Sequence, residues 1–426
     1  MRGHLVMSAK ERQRLLVLSR VRDQGMSLKK AASVLRVSYR QARRIYKRYI
    51  SEGDAGLAHK NRGKASGRGY TPQLKQSVLE LYKTRYDGFG PTLAAEKLLE
   101  EDGIVVDHET LRRWLLAGGI WQRRRKRSTH RQRRIPKDHF GELVQMDGSP
   151  HWWFEDRGET SCLMNMVDDS TKTTLALMDK EETTELSMRL LWAWIDKYGI
   201  PEALYVDHKT VFVTDRKPTL EEQLRGDMPV TQFGRACRTL GIQIICASSP
   251  QAKGRVERNH GVYQDRLVKE LRLRGISSIE ATNELLGKGF IEKLNAKFSV
   301  APRDELDRHR PVDKKTELAA VFSFEYERTI ANDYTVRFDR RLFQIVKQRA
   351  LPLAKTKLTV QVRLDKSVHL IYQERELEFV EITKEVLNEQ LKAVEEKPKP
   401  STPNVPASDH PWRSQKWRNK LIGARR

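Results

Sequence analysis

Ala203-Leu204-Tyr205-Val206-Asp207-His208-Lys209 is the stretch that decides the fold. Four consecutive apolar residues are enough for a short buried strand, and the aspartate falls where that strand should end. A carboxylate at a strand tip contributes little to packing and is well placed to hold a metal ion. Equivalent carboxylates stand on either side. Upstream, Leu143-Val144-Gln145-Met146 runs into Asp147-Gly148. Downstream, Ile242-Gln243-Ile244-Ile245-Cys246-Ala247 ends in Ser248-Ser249-Pro250, and a helix follows that carries Glu257. The three acids are 60 and 50 residues apart. One Asp after one strand is more often a turn residue than a ligand; the weight lies in the set.

The surrounding chain alternates between strand and helix. Cys162–Asp169 and Thr173–Met178 read as strands. Residues 181–198 read as an amphipathic helix with Leu186, Leu190, Leu191, Trp194 and Ile195 on one face. A polar insert spans about 213–230, and a helix covers Phe233–Leu240. Three meandering strands followed by alternating helices and strands predict a mixed α/β core over residues 140–300. Beyond it, short apolar or alternating bursts over 326–382 predict a small β-barrel. Residues 395–426 are Pro-rich, then basic with Trp412 and Trp417, and read as a flexible tail.

The front of the chain is helical and basic. Residues 9–25 have a helical pattern, Ser27 caps a second helix over Leu28–Leu35, and Ser38 caps a third from Tyr39 to about Ile50. Arg40, Arg43, Arg44, Lys47 and Arg48 occupy the faces of that third helix not used by Ala42, Ile45 and Tyr49. This is a helix-turn-helix pattern over residues 8–52, and its last helix has the diameter a B-DNA major groove admits. After a Gly-rich connector the pattern recurs over residues 70–120. Helices are expected at Pro72–Tyr82 and Pro91–Glu101, and Asp107 caps Glu109–Leu116 with Arg112 and Arg113. A basic linker, residues 121–139, carries Arg123, Arg124, Arg125, Lys126 and Arg127 and suits phosphate tracking.

Charge is segregated along the chain. Residues 1–140 hold 33 basic and 13 acidic side chains, against 21 and 24 over residues 141–300, within a total of +24. A solubilising surface gives no reason for that division; a nucleic-acid-binding module joined to a separate reaction centre does. Cys162, Cys237 and Cys246 have neither disulfide-framework nor zinc-finger spacing. No apolar run is long enough to span a bilayer, so the expectation is a cytoplasmic, nucleoid-associated protein with no membrane partner.

Four motifs carry a family resemblance: Gln145-Met146-Asp147-Gly148-Ser149, Val167-Asp168-Asp169-Ser170-Thr171, Tyr205-Val206-Asp207-His208, and Ser249-Pro250-Gln251-Ala252-Lys253-Gly254-Arg255-Val256-Glu257-Arg258. They resemble the catalytic core of the DDE transposase and retroviral-type integrase superfamily. The Lys-Gly-Arg-Val-Glu-Arg-Asn-His run, continued to Leu271, resembles the ISNCY-type insertion-sequence group. The resemblance covers about residues 8–380. It implies an RNase H-like core and Asp147, Asp207 and Glu257 as catalytic, metal-holding residues. It also implies two Mg²⁺ ions, with Mn²⁺ able to substitute, and cut-and-join activity on element ends. The interval of 50 is longer than the roughly 35 usual in integrases, which the 213–230 insert accounts for.

Asp168 and Asp169 are the nearer rivals as ligands, while Asp215 and Asp227 lie in the insert. Lys253 shares a helix face with Glu257 if the helix has begun by then, and would hold a DNA phosphate or pair with Glu257. His208 would position water or DNA, or bond locally. The partners expected are double-stranded DNA, as element ends and target, and further copies of the chain in a synaptic complex. The rival reading is a catalytically silent, transposase-derived DNA-binding regulator.

Overall fold

The computed structural model describes residues 6–59, 69–122, 135–226, 228–247, 254–346 and 353–382. The chain divides into two units, Met1–Arg123 and Arg124–Arg426. Arg123, Arg124, Arg125, Lys126, Arg127, Asp227, Lys253 and the tail at 395–426 lie outside the described residues.

Serine caps set out the first unit. Ser8 and Glu11 form a reciprocal capping box at the start of α1 (Ala9–Asp23). Ser27 accepts from the Lys30 amide to open α2 (Leu28–Val34), and Ser38 accepts from the Gln41 amide to open α3 (Tyr39–Glu52). Val17, Leu18, Ala31, Ile45, Tyr49 and Leu57 close the core between them. Thr71 caps α4 (Pro72–Arg85), Pro91 begins α5 (Pro91–Asp102), and Asp107 caps α6 (His108–Ala117). Val78, Tyr82, Leu98, Leu111 and Leu115 are buried here, and the Tyr82 hydroxyl donates to the Phe89 carbonyl at 2.6 Å.

The second unit is built on one mixed sheet. Its strands are β1 (Val144–His151), β2 (Ser161–Asp168), β3 (Thr174–Asp179), β4 (Ala203–Val206) and β5 (Gln243–Cys246), in the order β3-β2-β1-β4-β5. The β1–β2 and β2–β3 pairs are antiparallel, and β1–β4 and β4–β5 are parallel. Between these strands lie α7 (Thr184–Tyr198), α8 (Leu220–Arg225) and α9 (Gln232–Thr239). After them come α10 (Gly254–Leu273), α11 (Ile279–Leu285), a π-helical turn at Leu286–Phe290, and α12 (Ile291–Phe298). The insert at 213–230 thus contains the short α8.

Strand alternation sorts side chains to two cores. Val144, Met146, Met164 and Met166 meet Leu186, Leu190, Leu191 and Trp194 of α7 and Phe233 of α9. Leu163, Ala176 and Met178 meet Tyr263, Leu267 and Leu271 of α10, with Leu286, Ile291 and Leu294 behind them. The sheet therefore separates an α7/α9 face from an α10/α12 face.

Two expectations are corrected. First, β1 does not end at Asp147. It runs to His151, because β2 keeps pairing along its whole length, Asp147 opposite Asn165 and His151 opposite Ser161. Only its other edge ends early: the last β1–β4 pair is Gln145 with Tyr205. Second, the C-terminal strands do not close into a barrel. After α13 (Leu318–Val321) come β6 (Ser323–Thr329), β7 (Thr335–Phe338), β8 (Arg341–Ile345), β9 (Lys357–Arg363), β10 (Val368–Tyr372), β11 (Arg375–Leu377) and β12 (Phe379–Ile382). They form two sheets, β11-β10-β9-β6 and β12-β8-β7. A barrel requires its end strands to pair with each other. Here Val336, Phe343 and Ile345 of one sheet share a core with Val360, Leu370 and Leu377 of the other, which buries the apolar faces without closure.

Candidate active site and DNA-binding helices

The parallel β1–β4 register places two acids side by side. Gln145 stands opposite Tyr205, so two residues further on each strand reaches Asp147 and Asp207. The structure brings these two together. Lys209 Nζ lies 3.7 Å from Asp147 Oδ1 and 3.2 Å from Asp207 Oδ2. A third acid, absent from the sequence reading, joins them: Glu182 Oε2 accepts a hydrogen bond from Lys209 Nζ at 2.7 Å. The three acidic side chains retain only 14, 22 and 12% of their exposure, so most of their neutralisation must come from protein charge rather than water. Burial pulls the Lys209 pKa down, but the hydrogen bond and charge of Glu182, with the charges of Asp147 and Asp207, override it. The net shift is upward, and the side chain is an ammonium.

Glu182 lies just before Thr183, the residue that caps α7. Its approach depends on Gly148: a Cβ there would stand 2.3 Å from Glu182 Oε2. Glycine within a strand often marks such a close approach, and that was the signal in the sequence that could have found this acid.

Glu257 sits in the first turn of α10, and two side chains of β1 fix that helix. The Val256 amide donates to Gln145 Oε1 at 3.3 Å, and Gln264 Nε2 donates to Ser149 Oγ at 3.2 Å. Four strand residues span about 13 Å and eight helix residues about 12 Å, so the two tethers hold α10 alongside β1 in register. Asp147 lies on the same face of β1 as both tethers. Glu257 and Gln264, seven apart, differ by about 20° around the helix, so Glu257 lies on the side of α10 that meets β1. The Glu257 side chain is exposed. Among the described residues no three His, Cys, Asp or Glu side chains are gathered closely enough to hold one metal ion. The structure joins Asp147 to Asp207 and does not bring Glu257 to them.

The rival acids have other work. Asp169 is buried, 2.6 Å from Arg255 Nε, and accepts from Gln145 Nε2 at 2.8 Å and from the Lys137 amide at 2.8 Å. Asp168 accepts from the Gly141, Ser170 and Thr171 amides and from the Thr171 hydroxyl. Burial pushes its carboxyl pKa up in spite of those bonds. His208 is 3.7 Å from Asp215, both largely exposed.

In the first unit, Ala42, Ile45 and Tyr49 are buried, while Arg40, Arg43, Arg44 and Lys47 are exposed on α3 and Arg48 is partly so. The helix therefore presents a cationic face. On α6, Arg112 donates to both oxygens of Glu109, at 2.6 and 2.7 Å, and Arg113 to one at 3.4 Å. One carboxylate thus engages both cations.

Two homeodomain-like domain models match residues 8–58 and 41–115. The protein y4bF of Sinorhizobium fredii, named as a transposase, is 39% identical over 80% of this chain and 73% of its own length. The chain belongs to the transposase family. The transposase for insertion sequence IS1202 of Streptococcus pneumoniae is 28% identical over 96% of this chain and 95% of its own. Among solved structures, the magnesium-bound catalytic core domain of HTLV-2 integrase matches 35% of this chain and 83% of that one, at 18% identity and a TM-score of 0.26.

In this transposase the helix bearing Glu257 is anchored at its base by Asp169. Breaking a buried ion pair by removing one partner costs about 3–5 kcal/mol, because the other charge stays buried. Asp169→Ala is therefore expected to lower unfolding free energy by about 3 kcal/mol, read from urea melts by circular dichroism. A loss below 1 kcal/mol would show that the Arg255 pair does not anchor α10. No helix among the described residues is long and apolar enough to cross a membrane.

Proposed function

We propose that this DNA transposase binds the terminal inverted repeats of an insertion sequence and performs Mg²⁺-dependent DNA cleavage and strand transfer, with Asp147, Asp207 and Glu257 as its catalytic acids. The observation that carries the reading is the convergence of Asp147 and Asp207 at the end of the parallel β1–β4 pair, already drawing one cation between them. The sheet order β3-β2-β1-β4-β5, antiparallel then parallel, supports an RNase H-like core. Brought together with the helix-turn-helix motifs, it divides the labour between holding DNA and reacting with it.

The donor set suits a hard divalent ion. It consists of carboxylate oxygens, mostly withdrawn from water, and Glu182 Oε1 is buried without a hydrogen-bond partner. Asp147 and Asp207 would hold metal from the strands, and Glu257 from the first turn of α10. Held there, Mg²⁺ would supply Lewis acidity to a water or 3′-hydroxyl and positive charge beside the reacting phosphate. The chain's own part is positional. The sheet fixes the two aspartates, and the Gln145 and Ser149 tethers fix the helix from which Glu257 extends. The α3 cations bind backbone phosphate and, in the groove, base edges. Two element ends need two such centres, so the working form is a homo-oligomer. Its substrate places it on the chromosome, in the cytoplasm.

The test is a strand-transfer assay with end-bearing duplex and plasmid target. Mg²⁺ and Mn²⁺ are expected to support joining. Ca²⁺ is expected to permit assembly on DNA with little chemistry, because its longer and looser coordination suits in-line displacement poorly. Undiminished joining in excess EDTA would sink the metal-dependent reading.

A further inference from the structure

Lys209 is two residues beyond Asp207 on the chain, yet its closest partner comes from elsewhere. Glu182, at the entrance to α7, accepts at 2.7 Å, while Asp207 and Asp147 lie at 3.2 and 3.7 Å. Three carboxylates surround this one ammonium, so acidic side chains outnumber the lysine at that point. A group of this kind both needs a resident cation and still attracts a divalent one. Mg²⁺ binds carboxylate oxygen at about 2.0–2.1 Å. An ammonium and such an ion drawn to the same oxygens repel each other, and only one can sit between them. Lys209 has somewhere to go, since 41% of its side chain is exposed on a flexible four-carbon stem. Gly148 provides the space through which Glu182 reaches it.

Resting on the metal-site reading above, we propose that Lys209, held by Glu182, is an internal counter-ion. It holds Asp147 and Asp207 adjacent in the metal-free transposase, and divalent-metal loading expels it. Glu182 is a positioning residue in this scheme, acting through the lysine. The consequence is a site that stays assembled without metal but binds metal less tightly than its carboxylates alone would.

Mn²⁺ binding to the full-length protein, followed by the electron paramagnetic resonance signal of free Mn²⁺, tests this without catalysis. Lys209→Met is expected to bind Mn²⁺ roughly ten-fold more tightly than wild type, a difference of about 1.4 kcal/mol, because the competing ion pair is gone. Lys209→Arg, which keeps the charge, is expected to stay near wild type. A second readout uses the unaltered protein. Acylation of Lys209 by an amine-reactive reagent, mapped by peptide mass spectrometry, should rise several-fold on adding Ca²⁺, with distant lysines as the internal standard. Equal or weaker Mn²⁺ affinity in Lys209→Met, or unchanged acylation on adding Ca²⁺ to a protein that binds it, overturns the counter-ion role and leaves the metal site standing. If Mn²⁺ binds wild type and the Asp147→Asn, Asp207→Asn double variant alike, the metal-site reading falls and this inference with it.

Discussion

Asp147→Asn and Asp207→Asn should each lower strand transfer by roughly 10⁴-fold, the scale seen when one member of a group that acts as a unit is removed. Glu257→Gln should do the same. Each substitution keeps the side chain's shape and removes one charge from the place where metal would be held. The fold should survive. Asp147 and Asp207 cluster with Glu182 on one ammonium, so losing one carboxylate relieves repulsion as much as it removes attraction. Melting temperatures within a few degrees of wild type are therefore expected, in contrast to the loss expected at Asp169, whose charge is buried against Arg255. End-DNA binding, measured by fluorescence anisotropy, should be nearly unchanged. Near-normal joining by any of the three variants would remove that residue from the catalytic set. For Glu257 the result is especially informative, because the structure does not bring its carboxylate to the other two.

The second large effect concerns α3. Replacing Arg40, Arg43, Arg44 and Lys47 together by Gln should lower affinity for element ends by roughly 10³-fold at low salt, with the slope of log affinity against log salt flattened by up to about 0.9 per lost phosphate contact. All four are exposed and stand away from Ala42, Ile45 and Tyr49, so the substitution should leave the three-helix core intact. Preference for end sequence over scrambled DNA should also fall where these side chains meet base edges. The measurement is a set of binding isotherms at several salt concentrations. Substituting Arg112 should do less. Its guanidinium already donates to both oxygens of Glu109, and a phosphate would have to displace that carboxylate. An unchanged salt slope in the α3 variant would move DNA recognition to another part of the chain.

How much was legible from sequence depended on whether the cause was local. Ser27, Ser38 and Asp107 announced helix starts because a cap is an interaction across three residues, and each bonds an amide at the expected place. The apolar runs before Asp147 and Asp207 marked strands for a similar reason. The extent of β1 was not legible: Asp147 and Gly148 read as a terminus, and only pairing with distant β2 carries the strand onward. Short apolar bursts marked residues 326–382 as strand-forming, but closure into a barrel depends on which edges pair, and that information is spread over the 60 residues from Ser323 to Ile382. Glu182 stood in a polar connection with no periodicity. Its role comes from contacts with Lys209 and with the space above Gly148, both far away in sequence. The burial of Asp168 and Asp169 was similarly hidden, since the groups that meet them, Arg255 and the Gly141 amide, lie far away in sequence.

The β1–β4 pairing settles where the second aspartate stands, and the Gln145 and Ser149 tethers settle where the helix after β5 stands, whatever chain lies between β4 and β5. That intervening stretch already loops out far enough to hold a helix of its own, α8, with Leu220 and Leu224 facing solvent. Sequence distance from Asp207 to Glu257 is consequently a poor ruler for kinship. Two proteins could differ there by dozens of residues and keep the same geometry, and a search that fixes the interval would part them. The same loop is a natural port for grafting a foreign module close to the strand that leads into Asp207.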